Sequence, residues 1–148
     1  MAEPTPAQRI EHIIKTYIQA CNDADAKAIA ACFCPDAVHY GPGFSKWSGA
    51  ATIGDNFMKR VQELGHCWTV DQVLVDVERC AAALEWTRFD RNARVVRGVD
   101  WFVFEPPTIR IREVRPYFAV SPRPDLARQE LQDFDYAGRG YPTNAPPR

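Results

Sequence analysis

The sequence lacks the features that would assign it at once to a specialised class of protein. It has no apolar run long enough to cross a membrane, and its start, MAEPTPAQRIEH, lacks the basic residues and apolar stretch of a secretory signal. Its 18 basic and 19 acidic residues are well mixed, so no strong field would attract nucleic acid or an anionic membrane. We therefore expect a cytoplasmic protein that binds neither nucleic acid nor membranes.

Metal-site and disulfide patterns are also missing. The five cysteines are Cys21, Cys32, Cys34, Cys67 and Cys80. Their number is odd, they contain no CxxC pair, and no clustered histidine could complete a zinc site. We therefore expect reduced, mostly buried thiols and no bound metal.

The 148 residues are 46% hydrophobic and 25% charged, which is ordinary for one globular domain with its own core. We assign residues 1–120 to a single domain. Residues 121–148 form an extension rich in proline and glycine that we expect to pack on the domain or on a dimer partner. One or two helical turns are predicted around Asp125 to Gln132.

Three helices are predicted in the first half of the chain. Thr5, Pro6 and Gln8 form a capping box with proline at the first helical position, and apolar residues then recur at helical spacing to about CNDAD. A short helix follows from about Asp25 to Phe33. A third covers Gly49 to Leu64, although a glycine inside it weakens the prediction.

The second half has the pattern of long β-strands. After the brief strand AVHY, strands are predicted at Cys67 to Glu78, Cys80 to Asp90, Arg94 to Glu105 and Ile109 to Val120. The connections are short, so neighbouring strands should form antiparallel hairpins. Helices followed by a strand meander indicate an α+β fold, in which helices cover one face of a curved antiparallel sheet shaped as a half-open cone.

Asp100 is the one acid in the apolar stretch GVDWFVF, and a buried carboxylate is costly unless it is paired or neutral. If the turn pairs Asp90 with Arg94, Leu84 faces Asp100 and Trp86 faces Gly98. One sheet face would then form a pocket wall of Leu84, Trp86, Arg88, Asp100, Phe102 and Phe104. The opposite face would carry an apolar patch of Val99, Trp101 and Val103 that suits a dimer contact.

Two interpretations of Asp100 stay open at this point. It is either a buried acid paired with Arg88, Arg112 or a helix amide, or a functional acid. The aromatic tail residues Phe134, Tyr136 and Tyr141 similarly suit either a cover over the pocket mouth or a contact with a dimer partner. His12 is expected to face solvent, and His66, near a helix end, is not a strong candidate.

Three segments together resemble the nuclear transport factor 2-like superfamily, specifically its SnoaL-like and ketosteroid isomerase-like members. They are YIQACNDADAKAIAACFCPDAVHYGPG, SGAATIGDNFMKRV and VVRGVDWFVFE with IRIREVRPYF, and the similarity spans roughly residues 10–118. The resemblance implies a sheet cone closed by three N-terminal helices, a deep apolar pocket, and commonly a dimer through the outer sheet face. One fold hosts many functions, so it does not by itself define the reaction.

Residue by residue, the resemblance implies an oxyanion site. In ketosteroid isomerases a Tyr on the first helix and an Asp in a DxFxF strand donate hydrogen bonds to a developing oxyanion, and Tyr17 and Asp100 hold these positions here. The carboxylate base of those enzymes corresponds to Gly41, so the base is missing. Strand alternation puts His39 on the same face, and we expect it to replace the base or to donate a hydrogen bond.

A second comparison is with limonene epoxide hydrolase, which uses an Asp-Arg-Asp set. Arg88 and Asp90 resemble its Arg-x-Asp step, but Pro116 stands where the second Asp should be. Proline cannot do acid chemistry, so this departure argues against epoxide hydrolysis by that mechanism. Arg88 could still bind a carboxylate or carbonyl oxygen.

The sequence thus predicts a cofactor-free enzyme, an isomerase, cyclase or dehydratase, that moves a proton next to a carbonyl in a largely apolar ring compound. Its catalytic residues would be Tyr17, Asp100 and His39. Its substrate-binding residues would be Arg88, Trp86, Phe57, Phe102, Tyr40 and Tyr117. The alternative is a non-catalytic ligand-binding or dimerisation module, which the glycine at position 41 favours.

Overall fold

The computed structural model describes residues 2–41, 46–120, 123–131 and 133–147. The described residues contain three helices: α1 (Pro6–Asn22), α2 (Ala26–Ala31) and α3 (Ala50–Leu64). The predicted capping box is confirmed, because Gln8 N–H donates to Thr5 Oγ1 at 3.2 Å and Thr5 N–H donates to Gln8 Oε1 at 2.8 Å. None of the helices in the described residues is long and apolar enough to cross a membrane.

The helices pack on one another through small residues. Gly54 of α3 lies against the backbone of α2, and a Cβ at this position would be 2.3 Å from the carbonyl oxygen of Ala26. Its lack of a side chain permits a close approach of α2 and α3, which outweighs its low helix propensity. The glycine that weakened the prediction of α3 is therefore a packing requirement.

In the described part of the chain seven strands form one curved sheet, and the first two of them lie between α2 and α3. Their bounds are β1 (Phe33–Tyr40), β2 (Lys46–Ser48), β3 (Cys67–Asp76), β4 (Ala81–Phe89), β5 (Val95–Glu105), β6 (Arg110–Phe118) and β7 (Arg128–Gln129). The order is β2-β1-β6-β5-β4-β3, and β7 pairs with β5 beyond the end of β6. The four long strands pair antiparallel, as predicted, whereas β1 runs parallel to β6. The sheet is not closed, and the α+β cone is confirmed.

The predicted register between β4 and β5 is also confirmed. Leu84 faces Asp100 and Trp86 faces Gly98. The inner face of the sheet packs against the helices and forms the core with them, while Val99 and Trp101 on the outer face are 37% and 41% exposed. The side chain of Asp100 therefore points toward the helices, as alternation requires.

Three details differ from the sequence predictions. Strand β1 starts at Phe33, which the sequence placed in α2, and the short strand β2 was not predicted. The helical turn expected around Asp125 to Gln132 is wrong for the part described, because residues 128–129 form β7. The side-chain amide of Gln129 donates to the carbonyl oxygens of Arg123 and Leu126, both at 3.0 Å, and so stabilises a non-helical turn.

The C-terminal extension folds back over the outer face of the sheet. Arg97 Nη2 donates to Glu130 Oε2 at 3.0 Å, its Nη1 donates to the carbonyl of Pro142 at 2.8 Å, and the ring of Tyr136 lies 4.0 Å from the guanidinium carbon. Tyr141 Oη donates to Glu85 Oε2 at 2.6 Å. These contacts lie on the opposite side of the sheet from the helices, so residues 123–131 and 133–147 of the tail do not cover the pocket mouth.

Candidate active site

A cavity opens between the helices and the inner face of the sheet, with side chains from α1, α3 and the six strands β1 to β6 in its wall. Seven of the nine predicted site residues line it: Tyr17, His39, Tyr40, Phe57, Trp86, Arg88 and Asp100. Gly41 lines it too, beside His39 as expected. The empty volume of the cavity, including space open to solvent, is about 600 Å³.

Asp100 is 6% exposed and forms a hydrogen bond with an indole, not an ion pair. Trp86 Nε1 donates to Asp100 Oδ1 at 2.8 Å, and no other hydrogen bond reaches this carboxyl within the described residues. Burial raises the pKa of Asp100 from 3.8 to about 7, although the bond from Trp86 opposes the shift. The carboxyl is thus largely protonated below neutral pH, and its second oxygen is left for a ligand.

Neither arginine proposed from the sequence as a partner for a purely structural Asp100 forms an ion pair with it. Arg112 forms ion pairs with Glu105 and Asp36 on the outside of the sheet. Arg88 lines the same cavity as Asp100, but no ion pair joins the two. The alternative of a charge-paired buried acid is therefore wrong for these arginines.

Gly98 explains how Trp86 reaches Asp100. The two residues face each other across β4 and β5, and a Cβ on Gly98 would lie 2.3 Å from Trp86 Cζ2. The indole therefore lies over the glycine and extends diagonally to the residue two positions further along β5. The ring of Phe118 contacts the indole edge-on at 5.3 Å and fixes its orientation.

Tyr17 projects from α1 into the same end of the cavity and is 1% exposed. Its ring is surrounded edge-on by Phe33, Phe57 and Phe102 at centroid distances of 5.2, 5.9 and 6.0 Å. Burial, followed by the nearby Cys21 and Asp100, raises the pKa of Tyr17 well above 10.0. The phenol therefore stays protonated and can act as a hydrogen-bond donor.

His39 of β1 is a buried imidazole between two aromatic rings, Phe57 at 5.0 Å and Trp47 at 5.6 Å. Burial, together with the charge of Arg60, lowers the pKa of His39 to about 4, although backbone hydrogen bonds oppose the shift. His39 is thus neutral over the neutral range. Its basicity is close to that of an ordinary aspartate, whose pKa is about 3.9.

Arg88 of β4 brings a positive charge into the cavity wall. Its guanidinium carbon lies 5.7 Å from the centroid of the Phe118 ring. Burial, and then the charge of Arg60, lowers the pKa of Arg88 to about 10. It remains charged at neutral pH, and it is positioned to contact a polar group of a ligand.

Two predicted substrate-binding residues do not line this cavity. Phe102 is fully buried beneath it, where it stacks on Phe104 at 5.9 Å and contacts Tyr17. Tyr117 is 63% exposed on the outer face, because alternation along β6 turns its neighbours Pro116 and Phe118 inward. Both are corrections to the sequence predictions.

Other lining residues were not predicted. His66 follows Gly65, whose φ of 66° ends α3 and directs the chain into β3. It lines the cavity, burial lowers its pKa to about 4, and its Nδ1 has no hydrogen-bond partner in the described part of the chain. In the sequence, only the glycine that ends the helix indicated that His66 could turn into the cavity.

Arg60 and Trp47, on α3 and β2, also line the cavity and form a cation–π contact at 5.1 Å.

The epoxide hydrolase arrangement is not formed. Pro116 does line the cavity, so no acid stands at that position. Asp90 is engaged in a turn, where its Oδ1 accepts from the amides of Asn92 and Arg94 at 2.8 and 2.9 Å. Within residues 2–41, 46–120, 123–131 and 133–147, no group of three His, Cys, Asp or Glu is arranged to hold a metal ion.

The family model of the SnoaL-like domain matches residues 14–113. The chain therefore belongs to the SnoaL-like domain family. No curated protein matches it at a significant level. A solved protein of unknown function with a cystatin-like fold, from Methylobium petroleophilum PM1, is 40% identical, with a TM-score of 0.74 and 96% of both chains covered.

Two enzymes share the fold at lower identity. SalBIII, an epoxide hydrolase/cyclase-like enzyme in pyran ring formation in salinomycin, is 20% identical with a TM-score of 0.63, over 75% of this chain and 91% of its own. An epoxide hydrolase of M. tuberculosis that resembles limonene epoxide hydrolase is also 20% identical with a TM-score of 0.63, over 77% and 85%. At this identity the likeness establishes the fold alone.

Proposed function

We propose that the protein is a cofactor-free enzyme that moves a proton next to the carbonyl of a largely apolar ring compound, in an isomerisation, a cyclisation or a dehydration. The observation that carries this proposal is the buried Asp100 carboxyl, whose pKa is raised to about 7 and which has one oxygen free beside Tyr17 in an apolar cavity. A neutral acid in such a place can donate a hydrogen bond to an oxygen that becomes negative.

The proposed reaction uses three groups. The substrate carbonyl accepts hydrogen bonds from the Asp100 carboxyl and the Tyr17 phenol. The neutral His39 removes a proton from the carbon next to the carbonyl, and the electrons of that C–H bond move to the oxygen, where the two donors stabilise the enolate. The proton then returns to another carbon, or the enolate expels a leaving group or attacks a second carbon.

The basicity of His39 supports its role as a replacement for the missing carboxylate. Gly41 offers no side chain, but burial gives His39 a pKa of about 4, similar to that of a carboxylate base. The reaction requires neutral His39 and protonated Asp100. We therefore expect activity on a plateau between about pH 4 and about pH 7, falling as the pH rises through the pKa of Asp100.

Binding of a naphthol, a flat phenol that mimics an enolate, tests the oxyanion site. We expect Asp100→Leu to weaken naphthol binding about tenfold or more, because a hydrogen bond to a charge-bearing oxygen is lost. Calorimetric titration of the wild type and the variant measures this. Asp55→Leu, on the exposed side of α3, is the matched control. Equal affinity in Asp100→Leu and the wild type would refute the oxyanion assignment.

The second candidate is a non-catalytic ligand-binding module, favoured by the absence of a carboxylate at Gly41. The two candidates differ in the behaviour of His39 when a ligand binds. In the enzyme, naphthol shifts the imidazole resonances of His39, because the base lies against the reacting carbon. A His39 ring whose NMR signals do not respond to bound naphthol would favour the binding module.

We also propose a homodimer through the exposed part of the outer sheet face. The tail covers the side near Arg97, but Val99, Trp101 and Tyr117 remain exposed. Exposed aromatic residues of this kind are enriched at interfaces. Sedimentation analysis should find a dimer for the wild type and a monomer for Trp101→Lys; a wild-type monomer would refute the proposal.

A further inference from the structure

The cavity has a basic end that the proposed proton transfer does not use. Arg88 is half-buried there, and in the part of the chain that the structure describes it makes neither an ion pair nor a hydrogen bond. Its guanidinium lies over the ring of Phe118. Asp90, the nearest acid along β4, is already held by the amides of Asn92 and Arg94.

A second cation faces the same space. Arg60 projects from α3 over the ring of Trp47, and its charge lowers the pKa of Arg88, His39 and His66. Like charges repel across a poorly hydrated space, so an anion bound at Arg88 would also be attracted by the charge of Arg60.

The other titratable groups in the wall do not offset these charges. His39 and His66 are neutral near neutral pH, and Asp100 is largely protonated below its pKa of about 7. Arg88 thus keeps its positive charge in a wall that is mostly apolar and aromatic. His66, which is 5% exposed and has an unpartnered Nδ1, adds a polar group on the side of the two arginines.

The basic and acidic ends are separated along the sheet. Asp100 pairs with Leu84, and Arg88 lies four residues further along β4 on the same face, which is about 13 Å of strand. The indole of Trp86 lies between them. A ligand that contacts both ends therefore has two polar groups with an apolar body between.

We propose that the substrate carries a carboxylate in addition to its carbonyl, and that Arg88 binds this carboxylate at the basic end of the cavity. The inference rests on the proposed function for the carbonyl but not for the carboxylate, because the two groups are bound by different residues. A guanidinium binds a planar carboxylate through two parallel hydrogen bonds.

Two ligands that each carry one of the groups test the inference. Naphthoate has the carboxylate without the phenol, and naphthol has the phenol without the carboxylate. We expect Arg88→Met, which keeps the length of the side chain but removes its charge, to weaken naphthoate binding about tenfold or more and to leave naphthol binding unchanged. Asp100→Leu should weaken naphthol binding and leave naphthoate binding unchanged. Arg110→Met, at an exposed position on β6, is the matched control.

The outcomes separate the two proposals. Naphthoate that does not bind the wild type, or that binds Arg88→Met equally well, overturns the carboxylate site, whatever naphthol does. Naphthol that binds Asp100→Leu and the wild type equally overturns the oxyanion site, whatever naphthoate does. Naphthyl phosphate that binds more tightly than naphthoate, with the difference lost in Arg88→Met, overturns the choice of a carboxylate in favour of a phosphate.

Discussion

Replacing Asp100 by Asn tests whether the fold holds this carboxyl in its neutral form. An amide cannot ionise, but it has nearly the same shape and its oxygen can accept the same hydrogen bond from Trp86. The pKa of Asp100 is about 7 in the folded protein, against an ordinary value of 3.8. Between these values the folded protein holds a proton that the unfolded chain has released, so wild-type stability falls as the pH rises.

The size of the effect follows from the two pKa values. Integrating the difference in bound protons from about pH 5 to about pH 8 lowers the free energy of unfolding of the wild type by about 2.5 kcal/mol. The free energy of unfolding of Asp100→Asn does not fall in this way, because the amide does not titrate. Its stability relative to the wild type should therefore increase by about 2.5 kcal/mol over the same interval, because other titrating groups cancel in the difference.

Urea denaturation followed by circular dichroism, at the acidic and the alkaline end of this interval, measures the four free energies. Asp55→Asn, on the exposed side of α3, is the matched control for replacing an acid by its amide. A difference between the Asn variant and the wild type that stays constant within about 0.5 kcal/mol, or that changes in the opposite direction, would refute a raised pKa at Asp100.

Three further predictions concern the surroundings of the site. Gly98→Ala should destabilise the protein by about 1–3 kcal/mol, because the new Cβ collides with Trp86; an unchanged urea midpoint would contradict this. His39 should titrate in NMR spectra with a midpoint at about 4, and a midpoint near the ordinary value of 6.5 would exclude its burial as described. Tyr141→Phe loses the bond to Glu85, so hydrogen exchange in the tail should accelerate, at a cost of about 0.5–1.5 kcal/mol; unchanged exchange would show that this contact does not hold the tail.

The register of β4 and β5 could be predicted because the connecting turn is short and alternation then fixes every pair. The same register already placed Trp86 diagonally from Asp100, yet the sequence interpretation sought a charged partner for the acid. Whether an indole reaches across depends on the space above Gly98 and on the orientation set by Phe118. These are properties of packing, and a pairing scheme does not contain them.

The direction of His66 and the place where the tail packs could not be predicted, for a related reason. The direction of His66 depends on where α3 ends and on the left-handed conformation of Gly65, to which the periodic pattern is insensitive. The tail is held by contacts between residues far apart in the chain, such as Arg97 with Glu130, so local propensity could not place it. Tyr117 was assigned to the wrong face by its aromatic character, although alternation from Pro116 would have placed it outside.

The missing side chain of Gly98 has an evolutionary consequence. Positions 86, 98 and 100 lie on two strands, but they depend on one another. The indole of Trp86 occupies the space above Gly98, and the carboxyl of Asp100 accepts its hydrogen bond from that indole. A relative that gained a larger residue at 98 would lose the donor that holds Asp100, and its acid would have to change with it. Relatives that keep all three residues are expected to share this chemistry. Relatives in which all three residues differ are expected to use the same fold for another function.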